Sequence, residues 1–394
     1  MVFYVFSSYL CIQDDIFFGK MDTSLYIHIP FCKSRCIYCD FYSTTALPQR
    51  QQYVDALCEE IAQRAHGLRA RTIYIGGGTP SQLTEGQLCQ IFDSIALHCI
   101  VEEGAEVTIE ANPDDVTEQF AALLSRLPVN RVSMGVQTFD DERLHFLSRR
   151  HCAGQAREAV ARLRSAGISN ISIDLMFGFP GETLEQWQSD ISEALKLKVP
   201  HLSAYSLMYE EGTRLTQMRD SGVVEELPDT LTSAMYSCLC DRLAEAGYEH
   251  YEISNFAMPG YRSRHNSSYW DATPYVGVGA AAHSYDGASL RSFNTPSLYE
   301  YLRQASSGAF CPEEEHLTEG QLYDERVMTR LRTAEGLDME ALRRDFGASV
   351  HDYCLRMARP HLQRGLLRLS EGRLSLTRDG LFVSDDVMSD LMAE

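Results

Sequence analysis

A chain of 394 residues, 44% hydrophobic and 23% charged, has room for one large domain and a smaller one, and its composition excludes collagen-like, disordered and disulfide-scaffold classes. The formal charge of -20 argues against a surface that neutralises nucleic-acid phosphates or anionic lipid. Its 12 cysteines are scattered apart from one cluster, which points away from disulfides.

The first twenty residues are apolar and aromatic, but no Lys or Arg precedes the run, and Asp14 and Asp15 break it. They make neither a signal peptide nor a spanning helix, so no integral membrane protein is expected. Met21 stands just before the first strong strand, and residues 1–20 read as an extension from a start placed too early, with a short accessory strand as the alternative.

Six β-rich runs follow, each succeeded by a helix-period segment: Leu25 to Ile29, Thr72 to Ile75, Glu106 to Glu110, Arg131 to Gln137, Asn170 to Met176, and His201 to Leu207. Their nearly continuous apolar character predicts parallel strands buried on both faces. Helices are predicted over Gln51 to Arg64, Glu85 to Leu97, Ala153 to Ala166 and Leu184 to Leu195, with Thr84 and Thr183 as polar starts. This is an α/β pattern, expected to form a partial (β/α)6 TIM-type barrel over residues 21–247. An open doubly wound sheet would also place ligands at its strand ends and stays open at this point.

Residues 248–317 read as an irregular Gly-, Ser- and aromatic-rich connecting region. Residues 318–394 read as a smaller α+β, winged-helix-like domain, with a hairpin of Leu366 to Leu369 and Arg373 to Leu376. Its acidic end, DDVMSDLMAE, points to a lid or an interaction role and away from nucleic acid.

In a (β/α) barrel the loops after the strands carry the chemistry. The first of them holds Cys32-Lys-Ser-Arg-Cys36-Ile-Tyr-Cys39. Soft sulfur ligands select zinc, copper or iron-sulfur centres. A structural zinc would want a fourth protein ligand, yet no Cys or His follows within the next eighteen residues. A cubane on three cysteines leaves one iron open, able to chelate the amino and carboxylate groups of S-adenosylmethionine.

CxxxCxxC after a first barrel strand resembles the signature of the radical S-adenosylmethionine (radical SAM) superfamily. The run from Tyr26 to Cys32, then GGGTP, IEANP, SMGVQTF and DLMFGFPGET, resembles the branch that contains the oxygen-independent coproporphyrinogen III dehydrogenases and the HemW heme chaperone group. The likeness runs from about Leu25 to the C-terminus. It implies a [4Fe-4S] cluster on Cys32, Cys36 and Cys39. It also implies S-adenosylmethionine among Tyr26, Tyr38, Gly77, Gly78, Thr79, Glu110, Gln137, Arg149, Asp174 and Met208.

Physical readings stand beside these roles. Gly76, Gly77 and Gly78 allow close backbone approach and expose N–H groups. Tyr38 can pack on adenine. Glu110, at a buried strand end, needs a partner. Arg149 and Asp174 could neutralise one another in a structural ion pair, and the glycines of GFPGET could simply shape a loop.

Two departures set the chain apart from the dehydrogenase pattern: Phe41 stands where a fourth cysteine would, and only about two dozen residues precede the first strand. His265-Asn266-Ser-Ser-Tyr269-Trp270 resembles the HNxxYW motif associated with heme binding in the HemW group. An imidazole is a common axial ligand, and Tyr and Trp offer faces for a porphyrin. His283 is a reserve ligand, and the nearby Gly277-Val-Gly279 lacks the strand-turn-helix frame of a dinucleotide site. The resemblance thus implies a cytoplasmic chaperone that passes heme to an acceptor, a respiratory cytochrome at the membrane, with an electron donor serving the cluster. The alternative it offers is oxidative decarboxylation of the propionates of coproporphyrinogen III.

Overall fold

The computed structural model describes residues 23–393; the apolar N-terminal run and Met21 lie outside them. Six strands, β1 (Thr23–Ile29), β2 (Arg69–Gly77), β3 (Ile100–Ala111), β4 (Arg131–Gln137), β5 (Ile171–Phe177) and β6 (His201–Ser206), lie side by side in chain order and pair in parallel. The order never reverses. A doubly wound sheet has a reversal where its ligand binds, so the arrangement is that of a partial barrel.

The strands are buried on both faces, as expected, but only one of the two faces is apolar. Side chains alternate along a strand, and here the alternation is chemical. Leu25, Ile27, Ile29, Ile73, Ile75, Val107 and Ile109 form one aliphatic face, buried in a single core with the surrounding helices. The intervening Tyr26, His28, Tyr74, Glu110, Ser133 and Asp174 share the other face, where Tyr26 bonds His28 along β1, and Tyr74 with Glu110 and Ser133 with Asp174 bond across strands. Burying the aliphatic face drives assembly, while the polar face leaves a lumen suited to a polar ligand.

Local signals fix where the helices start. Thr84 and Thr183 both cap reciprocally, with Gln87 and Gln186 completing capping boxes on the helices Glu85–His98 and Leu184–Leu197.

The stretch 248–317, expected to be irregular, extends the sheet on both sides. β7 (Glu249–Glu252) and β8 (Asn255–Ala257) continue from β6, with β8 antiparallel to it; β9 (Tyr275–Val278) pairs in parallel with β1. Beyond β9 run β10 (His283–Tyr285), β11 (Leu290–Phe293) and β12 (Glu313–His316). The result is a 12-stranded mixed sheet with β12 at one edge and β7 at the other. These strands span three or four residues each, too short for periodicity to declare them.

One buried carboxylate ties the β9 side down. Glu60, in the helix Arg50–Arg64, pairs with Arg64 and accepts from the Gly279 N–H at 2.7 Å, Asn294 Nδ2 at 2.7 Å and the Tyr301 hydroxyl at 2.6 Å.

The C-terminal module has its own core around Tyr323, Val327, Leu342, Leu374 and Val387. It combines the helices Glu319–Leu331, Met339–Gln363 and Ser384–Leu391 with a sheet of β13 (Leu337–Asp338), β14 (Leu367–Ser370) and β15 (Arg373–Leu376). Backbone bonds from Ile253 N to Arg332 O (3.1 Å) and from Ala334 N to Tyr251 O (3.0 Å) fasten it to the barrel. Among the described residues no helix is long and apolar enough to cross a membrane.

Candidate cluster and cofactor site

The loop after β1 is held at several points by backbone bonds. Cys32 N donates to Thr44 O at 2.9 Å, Thr44 N to Pro30 O at 2.7 Å, Ile37 N to Leu147 O at 3.3 Å, and Leu215 N to Ile37 O at 2.9 Å. Cys32, Cys36 and Cys39 are half-buried free thiols. Cys32 Sγ lies 3.4 Å from Thr79 Oγ1, and Arg149 points a guanidinium nitrogen at Cys36 Sγ from 3.6 Å. Burial pushes the Cys39 thiol up to about 11 and raises that of Cys32. A metal centre would displace those protons.

Among the described residues, no three His, Cys, Asp or Glu side chains converge tightly enough for a single metal ion. A cubane fits the loop better than zinc, because each thiolate then meets a different iron and the sulfurs need not close on one point. Tyr38 packs against a small apolar cluster of Ile37, Leu147, Met176, Phe179 and Leu207. Phe41 and Met208 are 65% and 60% exposed.

Inside the barrel mouth the expected residues come together, with different bonds from those foreseen. Glu110 accepts from the Tyr74 hydroxyl at 2.7 Å and from Gly77 N at 3.0 Å, and burial pushes its carboxyl up to about 7. Gly78 N is engaged as well, donating to Ile29 O at 2.8 Å. Two of the three glycine N–H groups are therefore spent within the protein, and what this turn offers a ligand is space. Gly77 has φ +106°, and a Cβ there would fall 2.4 Å from the His28 ring.

Arg149 donates to Asn112 Oδ1 at 2.7 Å and Gly135 O at 2.6 Å, while Asp174 accepts from Ser133 at 3.5 Å. They do not form the ion pair that was one expectation. Burial raises the Asp174 carboxyl to about 6. Gln137 closes β4 in the left-handed region at φ +69°, buried; a non-glycine residue held there signals local constraint at a site. Two buried guanidinium groups keep unpartnered donors, Arg131 at Nε and Nη1 and Arg149 at Nε. A cleft with spare cationic donors, buried carboxyls and aromatic walls fits an amino-acid-bearing nucleoside.

Three participants escaped the sequence reading. His28 bonds Tyr26 and Tyr42 O, each at 3.0 Å. Asn112 bridges Arg149 and Thr79. Glu182 holds the GFPGET loop through Gly178 N at 2.7 Å, Phe179 N at 3.1 Å and an ion pair with Arg143. The alternation along β1 could have disclosed His28, since it is two residues beyond Tyr26.

The HNxxYW residues sit elsewhere. His265, Asn266, Tyr269 and Trp270 lie on the helix Arg264–Trp270, against the starting halves of β2 and β3. Glu106 caps that helix, accepting from the N–H groups of Arg264 and His265 at 3.0 Å each. His265 is 1% exposed, and its ring stacks on Tyr74 at 4.9 Å between centroids. Both its nitrogens are engaged, Nδ1 with Thr72 Oγ1 at 2.8 Å and Nε2 with the Tyr269 hydroxyl at 2.9 Å. Trp270 lies under Arg332 at 5.1 Å, and the Asn266 N–H is taken by Ser263 at 3.3 Å. In this conformation the motif is a plug, and its imidazole is not presented to an iron. His283 is exposed on β10, stacked on Phe293.

The chain matches the model of the radical SAM superfamily over residues 26–194 and that of the HemN C-terminal domain over residues 317–383. It is 36% identical to the heme chaperone HemW of Lactococcus lactis subsp. lactis (strain IL1403), an alignment covering 94% of this chain and 97% of the relative. It is 33% identical to the heme chaperone HemW of Bacillus subtilis (strain 168), covering 94% and 99%. The structure of the radical SAM coproporphyrinogen III oxidase HemN from Escherichia coli superposes with a TM-score of 0.84 at 22% identity, covering 96% of this chain and 92% of that one, which is a likeness of fold. The superfamily implies a [4Fe-4S] cluster and S-adenosylmethionine, which here would fall to the three cysteines and the barrel mouth. Likeness of this extent, along a fold already built around three free thiols, means that the chain belongs to the radical SAM superfamily and, within it, to the HemW family.

Proposed function

We propose that this protein binds heme and hands it to an acceptor protein, with the iron-sulfur loop and S-adenosylmethionine controlling the transfer. The observation that carries this reading is identity of 33–36% across 94% of the chain to proteins named heme chaperone. Phe41 in place of a further cysteine agrees with it. Bound at Cys32, Cys36 and Cys39, the cluster would supply electrons to the sulfonium cofactor. The chain's own contribution is to orient and insulate: Arg149 bonds Cys36 from inside, Thr79 bonds Cys32, and Glu110 holds the Gly77 turn against the lumen.

The proposed acceptor is a respiratory cytochrome at the membrane, reached from the cytoplasm, and the proposed donor is a one-electron carrier. For His265, Asn266, Tyr269 and Trp270 to take part in heme capture, the helix Arg264–Trp270 must first leave the barrel base, because both imidazole nitrogens are used there. Decarboxylation of coproporphyrinogen III is the second reading, favoured by the fold shared with the oxidase.

Anaerobic reconstitution of the cluster, followed by parallel assays of hemin uptake and porphyrinogen turnover, separates the two. Uptake of hemin without turnover is the expected result. Robust formation of protoporphyrinogen would replace the chaperone reading by the enzymatic one.

A further inference from the structure

The helix Arg264–Trp270 has 7 residues, too few to persist without tertiary contacts. Its inner side is held by a closed relay of hydroxyls. The Ser268 hydroxyl bonds the carbonyl oxygen of His265 at 2.6 Å, and Ser24 Oγ meets Ser268 Oγ at 3.0 Å. Thr72 Oγ1 meets Ser24 Oγ at 2.9 Å and His265 Nδ1 at 2.8 Å, which closes the ring. Ser24 and Thr72 stand on β1 and β2, and all three hydroxyl residues are buried.

The direction of every bond follows from the one that ends on a carbonyl, because a carbonyl oxygen only accepts and a hydroxyl has a single hydrogen to give. Ser268 spends its hydrogen on His265 O, so Ser24 donates to Ser268, Thr72 donates to Ser24, and Thr72 is left as the acceptor toward His265. Nδ1 therefore carries a hydrogen. Burial, helped by the Arg131 charge, pushes the imidazole down to about 3, so the ring is neutral and Nε2 keeps its lone pair, which accepts from the Tyr269 hydroxyl at 2.9 Å. The nitrogen suited to a metal is thus the one covered by a residue of its own helix, while the other is wired to the barrel.

The seam between helix and barrel is not sealed. A cleft of about 90 Å³ runs along it, lined by Ser24, Thr72 and Ser268 of the relay together with Arg262 and Arg264. Water can therefore replace a broken link, and the hold is worth only the net strength of a few hydrogen bonds.

We infer that Ser24 and Thr72 are positioning residues that latch the heme motif: they keep the helix Arg264–Trp270 docked with His265 as the Nδ1–H tautomer, and breaking their relay is the step that admits an iron to Nε2. The inference rests on the proposed heme-carrying function with His265 as ligand, and adds the device that controls access to it. Neither Ser24 nor Thr72 needs to touch the porphyrin, so each acts through the imidazole and through Ser268.

The test has two parts, both on the full chain. Nitrogen-15 NMR of histidine-labelled protein, with His265→Gln to assign the signal, is expected to show the Nδ1–H tautomer at His265; an Nε2–H ring would overturn the wiring. Stopped-flow hemin uptake and hydrogen exchange over residues 264–270 then test the latch. Ser24→Ala and Thr72→Val are each expected to speed uptake about five- to tenfold, the factor set by a lost hydrogen bond, with faster exchange in the helix and a wild-type Soret band in the final complex. Thr72→Ser, which keeps the hydroxyl, is expected to behave as the wild type. A residue that merely supports folding would not accelerate capture. Unchanged exchange in the helix, or faster exchange with unchanged or slower uptake, would overturn the latch and leave heme carriage standing. If the wild-type chain formed no hemin complex, the function on which the inference rests would fall with it.

Discussion

The carboxylate of Glu60 and the hydroxyl of Tyr301 meet at 2.6 Å although 241 positions separate them. That contact, with those to Gly279, Asn294 and Arg64, fastens the late strands to the first helix of the barrel. Removing the carboxylate leaves the Arg64 charge uncompensated and takes the acceptor from the Gly279 N–H and the Tyr301 hydroxyl in a buried place. Glu60→Ala should cost about 3–5 kcal/mol, read by chemical denaturation. Hydrogen exchange should show protection lost first in β9 to β11; uniform loss over the whole barrel would contradict a local fastening role.

Gly77 makes a second, sharper prediction. Alanine there would bring a methyl within 2.4 Å of His28 and hold an L residue at φ +106°. Gly77→Ala should destabilise the protein by roughly 1–3 kcal/mol and reduce S-adenosylmethionine binding in calorimetric titration. Intact binding would mean that the turn is not part of the cofactor's wall.

The loop GFPGET gives a third. Glu182 accepts two backbone N–H groups and pairs with Arg143, so Glu182→Ala should lower stability by about 3 kcal/mol. Glu182→Gln, which can still accept from Gly178 and Phe179, should recover part of that loss. If both variants fell equally, the ion pair and not the loop would be the important contact.

A fourth concerns pH. Burial raises Glu110 from 4.5 to about 7, and Asp174 from 3.8 to about 6. Between the ordinary and raised values these two carboxyls keep protons in the folded protein that the unfolded chain has released, so their own contribution to stability falls as pH rises through that window. Buried His28, His151 and His265, lowered from 6.5 to about 4, about 3 and about 3, act in the opposite sense, so the check is a comparison: from pH 5 to pH 8 the cofactor-free wild-type chain should lose stability relative to Glu110→Gln. An unchanged gap between the two would mean that Glu110 is ionised throughout.

The fifth is compositional. Cys32→Ser, Cys36→Ser and Cys39→Ser should each cut iron and acid-labile sulfide in the reconstituted protein sharply, whereas Cys58→Ser should not. Cys58 is committed to a carbonyl, at 3.6 Å from Gln90 O. Equal metal content in all four variants would remove the cluster from the loop.

Much of the barrel was legible because its signals are local. Arg131 to Gln137 was read as a strand and is one; the helix expected from Glu85 to Leu97 runs from Glu85 to His98. Thr84 and Thr183 cap where they were expected to. The cysteine spacing was legible for the same reason, since eight consecutive residues contain it. The late strands were not, because a strand of three or four residues such as Asn255–Ala257 is specified by the β6 edge that it joins. The engaged state of His265 was equally hidden: its partners Thr72 and Glu106 lie more than a hundred and fifty residues upstream. The polar lumen was missed for another reason, as Tyr26 and Tyr74 count as apolar in a hydropathy pattern although their hydroxyls face His28 and Glu110.

The outermost strand, β12, reads Glu313-Glu314-Glu315-His316, with all four side chains exposed. An open sheet edge is a template for fibril growth, and a sheet of this width cannot hide both of its ends. Three adjacent carboxylates make that end electrostatically hostile to a second copy, which would have to bring its own acidic ribbon into register. Dispersal at neutral pH is thereby favoured by three carboxylates, and acid or concentrated salt would weaken that barrier.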